Sequence, residues 1–432
     1  MASNNQNSSS ILPKISRKLA VRTLVLVVVV GGMVYGLEWF LKVRSDLKGL
    51  QTSNTVGWIS AIQFLPDGQQ AILIAPDGKI QKDSGYKEHT TDRDIAWSPG
   101  GNFLYFISDR NEHNFNLFRW APGTPEPAEQ RTTGTRARSN PKFSSQPTDE
   151  SDSIAKALIT CGGLVQQFDP TNQTTEQILP PTSKEIVQSQ GQGEENPGGI
   201  ENQFSGVYGN LGTSFREAQW CGNKRFIAGI MRRENGETLI LQDMQAVDGK
   251  IPQPRPITSG EHIDFSVNPK DGNIVYTVQG FQWPEAVPTG ADGKPVKKPF
   301  VNAIVVYDVI AGKGQLVAQN AEVAFGMPSI RPDGKCVIIV VGTMTNGALV
   351  PRGMSTFPTF NDPAFKPIRI PGDIHEPSWS PDGAHIVFAL RGKNGKRSIY
   401  DVRTDDGTMR NVTGDVGDFA FPKFSPQLPT KS

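Results

Sequence analysis

Four acidic residues keep one offset from an aromatic or apolar neighbour: Asp94 stands three positions before Trp97, Glu217 before Trp220, Asp264 before Val267 and Glu376 before Trp379. If the stretches that carry them lie side by side, four carboxylates meet at one place. Like charges so gathered invite a cation or the amines of a partner. The competing reading is that each bonds nearby backbone or stays in water, as most polar side chains at such positions do. Of the five histidines, His89, His113, His262, His375 and His385, two lie close to this set: His262 near Asp264 and His375 near Glu376. A lone histidine on a strand is ordinarily structural.

No contiguous catalytic motif accompanies them. The chain has no Gly-x-Ser-x-Gly elbow, no His-Glu-x-x-His, no phosphate loop and no Gly-x-Gly-x-x-Gly. Any active site must therefore be assembled from distant segments, and binding rather than chemistry is the expectation. Cys161, Cys221 and Cys336 are too few and too scattered for a disulfide framework or a zinc site, and each sits in or beside an apolar run, as a small buried hydrophobe does. Neither a metal nor another cofactor is expected. A formal net charge of +1 gives no global reason to expect nucleic acid.

The elements that position the carboxylates announce themselves by repetition. In "EPSWSPDGAHIVFAL", residues 376–390, Pro381 sets φ for a turn, Asp382 bonds its own backbone and Gly383 takes a positive φ. The run that follows is β-branched and aromatic, which predicts a strand buried on at least one face. The same unit recurs at Phe64 ("QFLPDGQQAILI"), Trp97 ("AWSPGGNFLYFI") and Ile330 ("SIRPDGKCVIIV"), and in weaker form at Val267, Trp220, Phe143 and Phe424. A lone hairpin does not persist in water, so these units must pack on one another. The anchors are separated by 33, 46, 77, 47, 63, 49 and 45 residues, a ragged period that suits four-stranded propeller blades with variable loops. The 44 Gly and 33 Pro agree with an all-β, turn-rich chain.

The last full copy, "PSWSPDGAHIVFAL" followed by "IYDVRT" and "NVTG", resembles the repeat of the TolB-type (WD-like) β-propeller family, and the resemblance covers roughly Gly57 to Pro426. It implies about seven four-stranded blades, with six or eight left open, and "DFAFPKFSP" closing the ring on the N-terminal blade. Fold alone does not fix function. In that family's geometry, connections after the second strand share one face with connections between blades, and the Pro-Asp-Gly turns lie on the other. The long segments here then fall on the first face: 108–116, 232–237, 281–300, 343–360, 391–396 and the Gly/Gln/Asn-rich insertion 183–214. That face is expected to carry Arg110, Arg232, Arg233, Lys294, Lys297, Lys298, Arg352, Arg391, Lys393 and Lys396, with Phe281, Trp283, Phe357 and Phe360 as apolar anchors. A partner site on Trp283, Lys294, Lys297, Lys298, Phe357, Phe360, Arg391, Lys393 and Lys396 is weighed against cations that merely solvate loops.

Ahead of the repeats, residues 1–18 are polar and expected to be a disordered cytoplasmic tail, 19–42 a transmembrane anchor, 43–55 a linker and 56–428 the propeller. The apolar core from Thr23 to Leu41 would span about 28 Å as a helix, against about 30 Å of hydrocarbon. Bulky Trp39, Phe40 and Leu41 occupy the place of a small-residue cleavage site. Lys14, Arg17, Lys18 and Arg22 precede the core without an acid, which orients the propeller to the extracytoplasmic, periplasmic side. The functional expectation is a single-pass membrane protein whose propeller binds or scaffolds a protein partner. The alternatives are a propeller hydrolase or lyase acting on envelope polysaccharide or peptide, and a structural subunit of a membrane complex. The separate N-terminal α/β domain of TolB is absent from this chain.

Overall fold

The computed structural model describes residues 57–111, 113–144, 155–181, 214–245, 251–281, 301–360, 362, 364–415 and 417–426. The tail, anchor and linker expected over 1–55 lie outside these residues. So do Trp283, Lys294, Lys297, Lys298 and all of the 183–214 insertion except Ser214. Among the described residues no helix is long and apolar enough to cross a membrane.

The chain forms seven four-stranded antiparallel sheets, each the blade of a β-propeller. Blades 2 to 7 follow chain order, and blade 1 takes its innermost strand, Asp418–Phe424, from the C-terminus. That strand pairs antiparallel with Ile59–Leu65, from Ile59 opposite Phe424 to Phe64 opposite Asp418. The expected closure is therefore present, and it pairs the inner edge of Ile59–Leu65.

Strand side chains alternate between the two faces of a blade, and here both faces are covered. In Gly68–Ile74, Ile72 and Ile74 pack with Val387, Ala389 and Ile399 of blade 7, whereas Ala71 and Leu73 pack with Ile95, Leu104 and Phe106 of blade 2. Double coverage explains why Ile386, Val387, Phe388 and Ala389 are all buried in succession. The tryptophan anchors add a polar tie. Trp97 Nε1 donates to the Lys423 carbonyl at 3.3 Å and Trp379 Nε1 to the Ser329 carbonyl at 2.9 Å, each on the innermost strand of the preceding blade. An indole both fills the inter-blade space and reaches a backbone acceptor.

The Pro-Asp-Gly turn behaves as its residues dictate in blades 6 and 7. In blade 7 the Gly383 N–H donates to the Ser380 carbonyl at 2.9 Å, Ala384 N–H donates to Asp382 Oδ1 at 3.0 Å, and Gly383 has φ +69°. The Phe64 copy is a correction to the repeat reading. Because blade 1 borrows its first strand, Ile59–Leu65 is that blade's second strand, and the Pro66-Asp67 turn joins second to third. Its neighbour is Thr90, whose carbonyl accepts Gln69 N–H at 3.0 Å, so it lies on the face opposite the other copies. The seven innermost anchors are Trp97, Phe143, Trp220, Val267, Ile330, Trp379 and Phe424.

Candidate binding face and channel mouth

Three residues before each innermost anchor stand Asp94, Asn140, Glu217, Asp264, Met327, Glu376 and Phe421. Five of them have left-handed backbone: Asp94 (φ +52°), Asn140 (+49°), Met327 (+52°), Glu376 (+50°) and Phe421 (+55°). Pairing with the second strand shifts register at or beside each of these positions. Such bulges re-aim a side chain, and a left-handed non-glycine residue persists only where its surroundings hold it.

What holds it is the neighbouring blade. Asp94 Oδ2 accepts the Asn140 N–H at 3.2 Å, and Asn140 Nδ2 donates to the Arg216 carbonyl at 2.8 Å. Asp264 Oδ2 accepts the Met327 N–H at 3.0 Å, Met327 Sδ accepts the Glu376 N–H at 3.4 Å, and Glu376 Oε2 accepts the Phe421 N–H at 2.9 Å. The offset read from the sequence thus marks a chain of side-chain-to-backbone latches that runs from blade to blade.

The charges around this ring are matched locally. Glu217 faces Lys142 Nζ at 3.7 Å and Arg216 at 3.5 Å. Arg216 also pairs with Glu237 at 2.8 Å and Asp264 at 3.4 Å and donates to the Ile263 carbonyl. His262 Nε2 lies 3.2 Å from Asp264 Oδ1. Burial alone would raise the Asp264 pKa; the His262 hydrogen bond and charge, then Arg216, outweigh it and hold the carboxyl at about 2. The same contact raises His262 above its ordinary value. Burial raises the Glu376 pKa against the pull of the Phe421 N–H and of the charges of His375, Arg397 and Lys423. Among the described residues no set of three His, Cys, Asp or Glu is arranged to hold a metal.

Two residues further along the innermost strand of blade 1 from Phe421 lies a residue that the offset search did not single out. Lys423 donates to the Ile95 carbonyl at 2.7 Å from the innermost strand of blade 1. Lys423 is half-buried; loss of solvation there, with a like charge from Lys142, brings its pKa down to about 7 despite Asp94, Glu217 and Glu376. The signal was available, because "FAFPKFSP" carries the repeat's offsets: Phe421 at minus three and Lys423 at minus one.

The elaborated face is only partly as expected. Arg391, Lys393 and Lys396 are exposed on the connection between the second and third strands of blade 7, with Arg391 held by Asp373 at 2.9 Å. Arg110, expected there as a surface cation, is buried between Asp83 and Asp92. Phe357 and Phe360 are not on that face. Residues 343–360 are mostly strand: Cys336–Thr345 and Ala348–Pro358 form one long hairpin that turns at Asn346 and Gly347. The hairpin returns Phe357 opposite Val337 and edge-on to Phe325 at 6.1 Å, within an inter-blade core. Phe360 is exposed beside the Pro-Asp-Gly turn, where Thr359 N–H donates to the Lys335 carbonyl at 3.1 Å. Pro351, Gly353 and Pro358 gave this stretch a loop's composition, yet it runs as strand, with one bulge at Val341/Gly342.

No protein-family model matches the chain, and no curated protein does. Similar solved structures include TolB from Acinetobacter baumannii, at 13% identity and a TM-score of 0.45 over 86% of this chain and 67% of that one. An oligogalacturonate lyase in complex with manganese is 11% identical with a TM-score of 0.49, over 84% of this chain and 86% of that one. A puromycin-hydrolyzing peptidase of Mycobacterium tuberculosis is 11% identical with a TM-score of 0.48, over 84% of this chain but 54% of that one. At these identities no activity is carried across. On its own sheet topology the chain is a seven-bladed β-propeller of four-stranded blades, the architecture expected from its recurring Pro-Asp-Gly units.

Proposed function

We propose that this chain is a membrane-anchored, extracytoplasmic propeller that binds a protein partner through the face bearing the connections between second and third strands. The observation that carries the reading is a pairing of features at that end of blades 7 and 1. Lys393 and Lys396 are exposed on the connection that follows Arg391, itself 42% exposed and paired with Asp373, and in the adjoining blade Phe421 is 41% exposed although it belongs to an innermost strand. Neighbouring blades cover the faces of that strand, so its ring is open toward the channel. Exposed cations and an exposed aromatic on adjoining blades suit an acidic protein surface, the cations steering encounter and the ring supplying a desolvated contact. Trp283, Lys294, Lys297 and Lys298, outside the described residues, belong to the same proposal.

The test is affinity capture with the full chain from detergent-solubilised native membranes, followed by association kinetics. Reversing Arg391, Lys393 and Lys396 to Glu is expected to slow association, and the wild-type on-rate is expected to fall as salt rises. Trp283→Ala is expected to speed dissociation and weaken binding by upward of about 2 kcal/mol. A partner that binds all these variants like wild type removes this face as its site. Resistance to alkaline carbonate extraction, with residues 1–50 retained, tests the anchor separately.

A further inference from the structure

The chain enters the propeller at one particular end. Ile59 pairs with the innermost anchor Phe424 on one side and with Ile74 on the other, Ile74 pairs in turn with Ile80, and the Ser425 N–H donates to the Trp58 carbonyl at 2.8 Å. This row crosses blade 1 at the end where the innermost anchors lie and where blades 6 and 7 place their Pro-Asp-Gly turns. Gly57 and Trp58 therefore arrive opposite the face that bears Arg391, Lys393 and Lys396. Five large apolar side chains are exposed among the described residues, and three of them stand at this same end: Ile80 (40%), Ile310 (66%) and Phe360 (47%). Ile80 closes the row in blade 1. Ile310 follows the third strand of blade 5, where the Val309 N–H donates to Asn273 Oδ1 at 3.2 Å beside that blade's first turn. Phe360 follows the third strand of blade 6, where Thr359 Oγ1 donates to the Gly334 carbonyl at 2.6 Å.

We propose that this end of the propeller rests on the headgroup layer of a lipid bilayer, with Ile80, Ile310 and Phe360 reaching its apolar boundary. The inference rests on the reading of residues 19–42 as an anchor. Residues 43–55 are then the whole tether, with a reach of about 45 Å at full extension, and the end they lead into is the one that carries the exposed apolar side chains. Scattered singly over a surface, such residues would mean little. Here exposed Lys79, Lys313 and Lys335 accompany them, and long lysine stems beside apolar tips suit a headgroup layer. Asp77, Asp308 and Asp333 share the same turns, so apolar contact rather than attraction to anionic lipid supplies the binding. Asp405 and Asp406 on the corresponding turn of blade 7, both paired with Arg403, keep the contact shallow. The opposite face stays free for a protein partner.

The experiment uses the full chain in nanodiscs of phosphatidylcholine and phosphatidylglycerol. Cys161, Cys221 and Cys336 are buried, so a nitroxide attaches selectively at Ile310→Cys, at Phe360→Cys or, on the opposite face, at Lys393→Cys. At the first two positions dissolved oxygen is expected to relax the label and an aqueous nickel chelate to lose its effect, with the reverse at Lys393→Cys. Ile310→Asp combined with Phe360→Asp is expected to return a label at Ile80→Cys to the aqueous signature, with the melting temperature unchanged because both side chains are exposed. Nickel access at Ile310→Cys and Phe360→Cys equal to that at Lys393→Cys overturns the proposal. Spin–spin broadening between these labels, which puts a second copy rather than lipid against this end, overturns it too. Carbonate extraction reads the anchor alone. A chain retained by membranes with its labels in water keeps the anchor and loses this contact, whereas a chain extracted at alkaline pH whose labels are protected at neutral pH keeps the contact and loses the anchor.

Discussion

The carboxylate of Glu376 accepts the backbone N–H of Phe421 at 2.9 Å, across the seam where the C-terminal strand completes the ring. It holds a left-handed residue in place on either side of that seam, since Glu376 and Phe421 both have positive φ. Glu376→Ala leaves the Phe421 N–H without its acceptor and, because the bond is solvent-exposed, is expected to cost about 0.5–1.5 kcal/mol in denaturant unfolding, whereas Glu376→Gln keeps an acceptor oxygen and recovers most of it. Equal losses for the two variants would show that the latch is not the cause.

Arg110 bridges Asp83, on the loop after the outer strand of blade 1, and Asp92, at the start of blade 2; both carboxylates are fully buried. Burial raises the Asp92 pKa and the Arg110 charge opposes it. Arg110→Met strands two carboxylates in the core and is expected to destabilise the propeller by about 3–5 kcal/mol at neutral pH, with less loss in acid where they protonate. Urea midpoints at two pH values check both parts.

Lys423 has a folded pKa of about 7 against an ordinary 10.5. Between these values the unfolded chain binds a proton that the folded chain lacks, so this residue makes stability rise with pH from about 7 to about 10.5. Lys423→Met is expected to be more stable than wild type at pH 6 and to lack that rise. A Nζ titration midpoint near 10 in the folded protein would refute the assignment.

Asp264 and His262 set a window at the other end of the scale. The folded Asp264 pKa of about 2 means that its contribution is present above the unfolded value near 4 and is lost as pH falls toward 2. His262, raised above its ordinary 6.5, contributes fully below that value and loses its share as pH climbs through the raised one. Asp264→Asn is expected to lower the His262 midpoint in an NMR titration and to flatten the acid limb of the unfolding curve. An unchanged midpoint would mean that the 3.2 Å contact carries no coupling.

The propeller was legible from the Pro-Asp-Gly turns because their residues dictate backbone geometry wherever they occur. What they do not reveal is which strand pair they join. The 33-residue interval between Phe64 and Trp97, the shortest of the series, was the trace of a borrowed strand. The carboxylate offset was equally visible, but Asn140, Met327 and Phe421 occupy the same position without being acidic, so a search by charge saw four members of a set of seven. Arg110 looked like a loop cation because Asp83 and Asp92 approach it only through folding. Residues 343–360 misled for the opposite reason, since proline and glycine mark loops in general and bulged strands in a propeller.

Closure by the last strand also gives the chain an order of events in time. Ser60 meets Lys423 across a sequence separation of 363 residues, so during synthesis Ile62 and Gln63, paired on one side with Ala71 and Gln70, lack their inner partners until Phe419 and Ala420 have emerged. Blades 2 to 7 can each form from contiguous sequence, whereas the first blade to be made is the last to be finished. The nascent protein is therefore a string of completed modules with one unsealed edge, the stage at which holdase binding, mispairing with a second copy or degradation competes with maturation.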